Sequence, residues 1–112
     1  MIKSIQNSEH YKWGENCDGW LLLKTDSLSV IQEKMPPGTA ERIHIHTQAQ
    51  QLFFILSGTA IFKIKDELLT VNSGESMHIP KGTVHSIANH GVNELEFLVI
   101  SEPKSHGDRT DL

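Results

Sequence analysis

Apolar residues along the chain come in short runs set between Gly, Pro, Asn, Asp and Ser, and several runs alternate apolar with polar positions. Trp20–Lys24 (WLLLK) is followed by Leu28–Met35 (LSVIQEKM), after which Pro36–Gly38 breaks the chain. Arg42–His46, Gln51–Leu56 and Thr59–Lys65 come next, with a turn at Asp66–Glu67. Leu68–Val71, Ser76–Pro80, Val84–Asn89 and Leu95–Ser101 complete the series. No run sustains a helical period, whereas alternation with period two is what a half-buried strand requires. Many short strands with regular turn signals predict an all-β sandwich or barrel. Ser4–Trp13 fits either an edge strand or a short helical turn. Pro103–Leu112 reads as an extended tail, ordered by packing against a partner chain. The expected organisation is one domain over 1–112, with an N-terminal edge segment at 1–19, a barrel at 20–101 and a C-terminal tail at 102–112.

Composition narrows the class without naming a function. At 112 residues, 38% hydrophobic and 21% charged, the chain has the make-up of a soluble globular domain rather than a disordered one. The net charge is −4 and the Lys and Arg residues stand singly, so no nucleic-acid or polybasic membrane surface is expected. No apolar run has the length of a signal peptide or a membrane span. The single cysteine, Cys17, has no intrachain disulfide partner, which suits a reducing cytoplasm. It sits in the turn NCDGW with no base near it in sequence, and is expected to be a partly buried thiol rather than a reactive one.

The chemistry begins at His44 and His46. Alternate side chains of a strand share a face, so these imidazoles point the same way, about 7 Å apart along the chain. Taken alone the pair fits either two metal ligands or two hydrogen-bonded core residues. The longer context is more specific. Gly38–Gly58 reads GTAERIHIHTQAQQLFFILSG and Gly74–Asn89 reads GESMHIPKGTVHSIAN. Together they resemble the two signature motifs of the cupin superfamily. The first runs Gly, five residues, His-x-His, three or four residues, Glu, six residues, Gly, and it fits at Gly38, His44, His46 and Gly58. The second fits at Gly74, Pro80, Gly82, His85 and Asn89, and fifteen residues separate the two. The resemblance implies a small jelly-roll β-barrel (a double-stranded β-helix), a divalent transition metal, a third imidazole from His85, and a homodimer. The apolar outer faces of the long strands agree with a partner subunit.

The first motif departs at its glutamate. Both faces of LFFIL are apolar, so alternation does not say which glutamine takes that place. Counting six residues back from Gly58 gives Gln51, as does a spacer of four after His46; a spacer of three gives Gln50 but leaves seven residues before Gly58. Gln51 is therefore the expected fourth ligand. An amide brings no charge, so an ion held by imidazoles and Gln51 keeps its full +2. It should be a stronger Lewis acid, favour anionic ligands, and lack a general base among its ligands; a three-imidazole zinc site already holds water of pKa ~7. The alternatives are that Gln51 only hydrogen-bonds a water while the metal sits on the histidines, or that the site is degenerate. Zn, Ni, Fe and Co all suit imidazole-rich sites, and the sequence does not choose among them.

Around the ion, Phe53, Ile55 and Met77 are expected to line a pocket for a small-molecule ligand. Arg42, on the strand face of the histidines, either lines the pocket and anchors an anion or is solvated. Glu33 supplies the missing acid–base group if it points inward, and otherwise lies on the surface. His78 should face outward if Met77 and Ile79 face inward. His10, His90 and His106 fall in turns or tails, and Tyr11, Trp13 and Trp20 are expected at a barrel end or subunit contact. Families with this fold include dioxygenases, isomerases, lyases and binding modules. The expected function is oxygenase or Lewis-acid chemistry on a small, anionic or oxygen-rich metabolite, with a non-catalytic small-molecule or metal-binding module as the alternative.

Overall fold

The computed structural model describes residues 1–112, folded into eleven strands with no helix. They are β1 (Glu9–Trp13), β2 (Cys17–Lys24), β3 (Ser29–Met35), β4 (His44–Ile45), β5 (Gln50–Ser57), β6 (Thr59–Ile64), β7 (Glu67–Asn72), β8 (Ser76–Ile79), β9 (His85–Ala88), β10 (Leu95–Glu102) and β11 (Thr110–Asp111). A six-stranded sheet has the order β1-β2-β3-β10-β5-β8, and a five-stranded sheet the order β11-β4-β9-β6-β7. Every pairing is antiparallel. This is the all-β architecture that the period-two pattern predicts.

The core lies between the sheets. Along β10, Leu95, Phe97, Val99 and Ser101 are buried in alternation; along β5, Gln51, Phe53 and Ile55 are. Ala60, Phe62, Val71 and Ile87 of the other sheet meet them, with the Phe53 ring 5.1 Å from Phe62 and 5.8 Å from Phe97 between centroids. The register sorts this interior by polarity. Phe97 stands beside Ile55, Val99 beside Phe53, and Ser101 beside Gln51, so one end is apolar and the other hydrogen-bonding. The opposite face of β5 carries Leu52, Phe54 and Leu56, next to Leu98 and Ile100 of β10. Phe54 and Leu56 keep 37% and 38% of their surface exposed, which is why both faces of this strand read as apolar.

At the N-terminus the segment forms an edge strand rather than a helical turn. Residues 5–7 form a turn, and β1 then joins the sheet as its edge. Strand β2 begins at Cys17, so the sheet takes in part of the segment expected to precede the barrel. The tail differs from expectation: it returns onto its own chain. Lys104 pairs with Asp26 at 3.1 Å, β11 pairs with β4, and the Leu112 N–H donates to the Ile43 carbonyl at 3.0 Å. Local hydropathy could not show this, because the segment is polar and held by hydrogen bonds.

Gly58, the residue from which the glutamine is counted, joins β5 to β6 at φ 85°. A Cβ there would lie 2.7 Å from the Glu94 carbonyl oxygen. Gly58→Ala adds left-handed strain to a backbone clash and is expected to destabilise the fold by more than ~1 kcal/mol. Urea denaturation of the variant beside the wild type measures this.

Candidate metal centre

Strand β4 sets His44 opposite His85 of β9, and His46 follows just beyond the strand. One nitrogen from each ring lies within 4.8 Å of the others, and all three residues are buried. Each Nδ1 faces a backbone carbonyl at 2.8 Å: His44 that of Arg42, His46 that of Asp108, His85 that of Thr83. A carbonyl only accepts, so each Nδ1 carries the proton and each Nε2 keeps its lone pair for a ligand position. Burial holds all three imidazoles below their ordinary pKa, His44 down to about 3 and His85 to about 4, against the carbonyl bonds that favour protonation. At neutral pH, protons do not compete with a metal for them.

These shifts carry a stability consequence. The contribution of neutral His44 and His85 is complete above the ordinary value of 6.5 and is lost as pH falls toward about 4 and about 3. Glu41 acts oppositely: raised from 4.5 to about 7 by burial, it favours the fold fully below 4.5 and loses that contribution as pH rises toward 7. Below pH 4.5 the histidines therefore act without this opposition. The melting temperature of metal-free protein is expected to fall steadily from pH 4.5 to 3, a window that circular-dichroism melts cover. A flat profile there contradicts the assignment.

Gln51 faces inward and is buried, while Gln50 is exposed. Its Nε2 donates to Ser101 Oγ at 3.0 Å, and its Oε1 lies 3.2 Å from His85 Nε2. With Nδ1 of His85 already the donor to Thr83, this contact brings two acceptors face to face. A cation between them resolves the conflict, so the donor set fits a metal. Turning the amide over would satisfy the pair without one, so the amide orientation and the metal stand or fall together.

A cavity of about 250 Å³ opens on this centre, lined by His44, His46, Gln51 and Phe53 and also by Tyr11, Glu33, Glu41 and Arg109. Arg109 donates to Glu41 Oε2 at 3.3 Å, whereas Glu41 Oε1 is buried without a hydrogen-bond partner, 3.7 Å from His44 Nδ1. Burial raises Glu33 well above the carboxylate range, with the nearby Glu41 adding to it, against Arg109 and the Tyr11 phenol. Asp108 braces the rim: its carboxylate accepts from the backbone N–H groups of Thr47, Gln48 and Ala49 and from the Thr47 hydroxyl, at 2.8–3.2 Å. Burial opposes its ionisation, but these donors outweigh burial and hold the carboxyl below its usual range.

Not every expected lining residue is there. Arg42 points away, with 74% of its side chain exposed beside Asp111 at 3.8 Å. The chain at 41–43 is irregular and β4 begins only at His44, so strand alternation does not extend back to it. Ile55 shares the inward face of β5 but lies deeper, wholly within the core, and Met77 packs against that core rather than lining the cavity. Conversely, Tyr11, Trp13, Glu33 and His106 do line it, where a barrel-end, surface or tail position was expected. His78 is exposed and bonds Gln50 Oε1 at 3.1 Å, and Cys17 is buried with its thiol pushed up chiefly by burial.

Comparison with known proteins agrees with this geometry. The Cupin domain family matches residues 31–101, from within β3 to within β10 and across the whole centre. The chain belongs to the cupins. An oxalate-binding protein of Thermotoga maritima is 31% identical over 67 residues, covering 60% of this chain and 55% of its own length. An uncharacterised protein of Methanocaldococcus jannaschii is 31% identical over 81 residues, covering 71% of this chain and 65% of its own. The cupin chain thus spans under two thirds of these curated relatives. Among solved structures, a Thermotoga maritima protein described as a predicted oxalate decarboxylase superposes with a TM-score of 0.85 at 21% identity, covering 93% of this chain and 100% of its own. That likeness concerns the fold, the double-stranded β-helix. No helix here is long and apolar enough to cross a membrane.

Proposed function

We propose that this cupin binds one divalent transition metal at His44, His46, His85 and Gln51, and acts there on a small oxygen-rich anion by Lewis-acid chemistry of the isomerase or lyase type. The observation that carries the reading is the set of three imidazoles with committed Nδ1 protons, whose free nitrogens converge where an amide oxygen also points. Zn, Ni, Fe and Co suit such ligands. When bound, the ion supplies positive charge that no carboxylate ligand offsets. The chain contributes the rest: Arg109 attracts an anion, Phe53 gives an apolar wall, and Glu33, Glu41 and Tyr11 supply groups able to move protons. These proton-moving groups place isomerase or lyase chemistry ahead of oxygenase chemistry.

The name of the Thermotoga maritima relative, an oxalate-binding protein, favours a second reading: a module that holds a small anion without turnover. Chelator-treated protein is to be reloaded with each metal in turn, assayed by elemental mass spectrometry, and titrated calorimetrically with oxalate. One metal per chain and anion binding that depends on it are expected. Failure to retain any of the four metals overturns the proposal. Binding without conversion of any oxo or hydroxy acid under every metal favours the module.

A second copy of the chain is the partner we propose for the apolar outer face that carries Phe54 and Leu56, to be checked by light scattering. An unpaired, buried Cys17 agrees with a reducing, cytoplasmic setting.

A further inference from the structure

One row of residues crosses the first three strands of the larger sheet: Tyr11 on β1 stands beside Gly19 on β2, which stands beside Glu33 on β3. Gly19 is not at a turn and has no left-handed backbone, so conformation does not explain a glycine there. Space does. A Cβ on Gly19 would lie 2.7 Å from the Tyr11 hydroxyl oxygen, and closer still to the ring carbon that bears it. The ring of Tyr11 lies over the bare backbone of β2, which brings its phenol toward Glu33, the next residue in the row. Both side chains line the cavity that holds His44, His46 and Gln51.

A structural ion pair is a poor account of this arrangement. The guanidinium of the cavity, Arg109, pairs with Glu41 and Asp111 and not with Glu33. Glu33 therefore sits on the inward face between Ile31 and Met35, in a cavity it shares with the Tyr11 phenol and the Glu41 carboxylate. A carboxyl in such surroundings costs stability, and clusters of this kind belong to sites that handle protons.

We propose that Glu33 is the proton-exchanging group of this cavity, held in place by Tyr11 laid across Gly19, and that the ligand is a small oxo acid with a C–H proton beside its ketone carbonyl. This rests on the reading of the cavity as the ligand site. In the step, Glu33 in its ionised form, which burial disfavours and rising pH restores, takes a proton from the ligand's C–H. The electron pair of that bond stays on the ligand as an enolate, and Glu33 becomes a carboxylic acid. Return of the proton to the same carbon gives exchange with solvent; where the adjoining carbon of the enolate carries a hydroxyl, delivery to that carbon instead completes an isomerisation, with no oxidant or reductant. Glu41, Arg109, His106, His44 and His46 also face the cavity and set the field in which Glu33 works. Tyr11 and Gly19 are positioning residues.

The test uses the zinc-loaded chain with 2-oxobutanoate in heavy water, following exchange of the methylene protons by NMR. Zinc content is measured alongside, as are the protons taken up on binding the probe, by calorimetry in two buffers of different ionisation enthalpy. The wild type is expected to exchange the methylene protons faster than free zinc does. Glu33→Gln should keep the fold and the zinc, lose the proton uptake, and slow exchange by about a hundredfold. Glu33→Asp should recover part of the rate. Gly19→Ala, which displaces Tyr11, should shift the pH profile of exchange without changing zinc content. Exchange by Glu33→Gln within about twofold of the wild type overturns the proposal. So does a wild type that holds zinc but exchanges nothing. A wild type that binds no zinc overturns the metal reading instead, and the proton count on the metal-free chain then decides for or against Glu33.

Discussion

Phe97→Ala is expected to lower the free energy of unfolding by about 3–5 kcal/mol. The side chain is 0% exposed and lies in β10, whose two neighbours are β3 and β5. Glu33 and Ile55 stand on either side of it in the register, and its ring sits 5.8 Å from that of Phe53. The central strand is hydrogen-bonded on both sides, so its backbone cannot move in to fill the space left behind. The cost is then the lost transfer free energy plus an unrelaxed cavity. Urea denaturation reads the change directly. Phe54→Ala is the control: it removes the same atoms from the outer face, where 37% of the residue is exposed in the single chain. If both variants lose the same stability, the core is not where the register places it.

His85→Ala is expected to remove metal binding at the centre, by more than the 10–100-fold that changes outside the ligand set typically cost. His85 is 1% exposed, stands opposite His44 in register, and is the ring to which the Gln51 oxygen points. Its loss takes away one imidazole and also the group against which the amide is aimed. Ser101→Ala offers the graded comparison. It deletes the hydroxyl that receives the Gln51 Nε2 and leaves every ligand in place, so a loss of about 10–100-fold is expected there. Calorimetric titration of chelator-treated protein with zinc gives both numbers, and circular dichroism confirms that each variant folds. Wild-type affinity in His85→Ala would mean that the three rings do not form a metal site.

The proposed ligand set was legible in the sequence through its resemblance to the two cupin motifs, and the structure brings the three histidines together. His44, His46 and His85 lie in the two glycine-bounded motifs, and the count from Gly58 selects Gln51, which faces inward in the structure. The rest of the cavity lining was not legible in the same way. Arg109 and His106 reach it from a tail whose return is fixed by contacts such as His46 to Asp108, 62 residues apart, and no local pattern encodes a contact of that separation. Arg42 looked inward only because alternation was carried past the start of β4. Glu33 shows a different failure. Its flanks, Ile31 and Met35, mark it as inward, yet a carboxylate on a short strand reads as surface until Tyr11 is seen lying over Gly19.

The bracing of His46 by Asp108 has a consequence for the making of the protein. All four proposed ligands have been synthesised once Gln51 and then His85 have been added, and β10 is complete at Glu102. At that stage the barrel strands can already pair, but the Nδ1 of His46 has no carbonyl to fix its ring, and the backbone at residues 47–49 has no carboxylate to hold it. Translation at about 5–20 residues per second supplies these groups after every proposed ligand. Under the proposed function, metal capture would then work as a completeness check: a chain broken off before residue 108 carries every proposed ligand yet lacks the anchor that aims one of them.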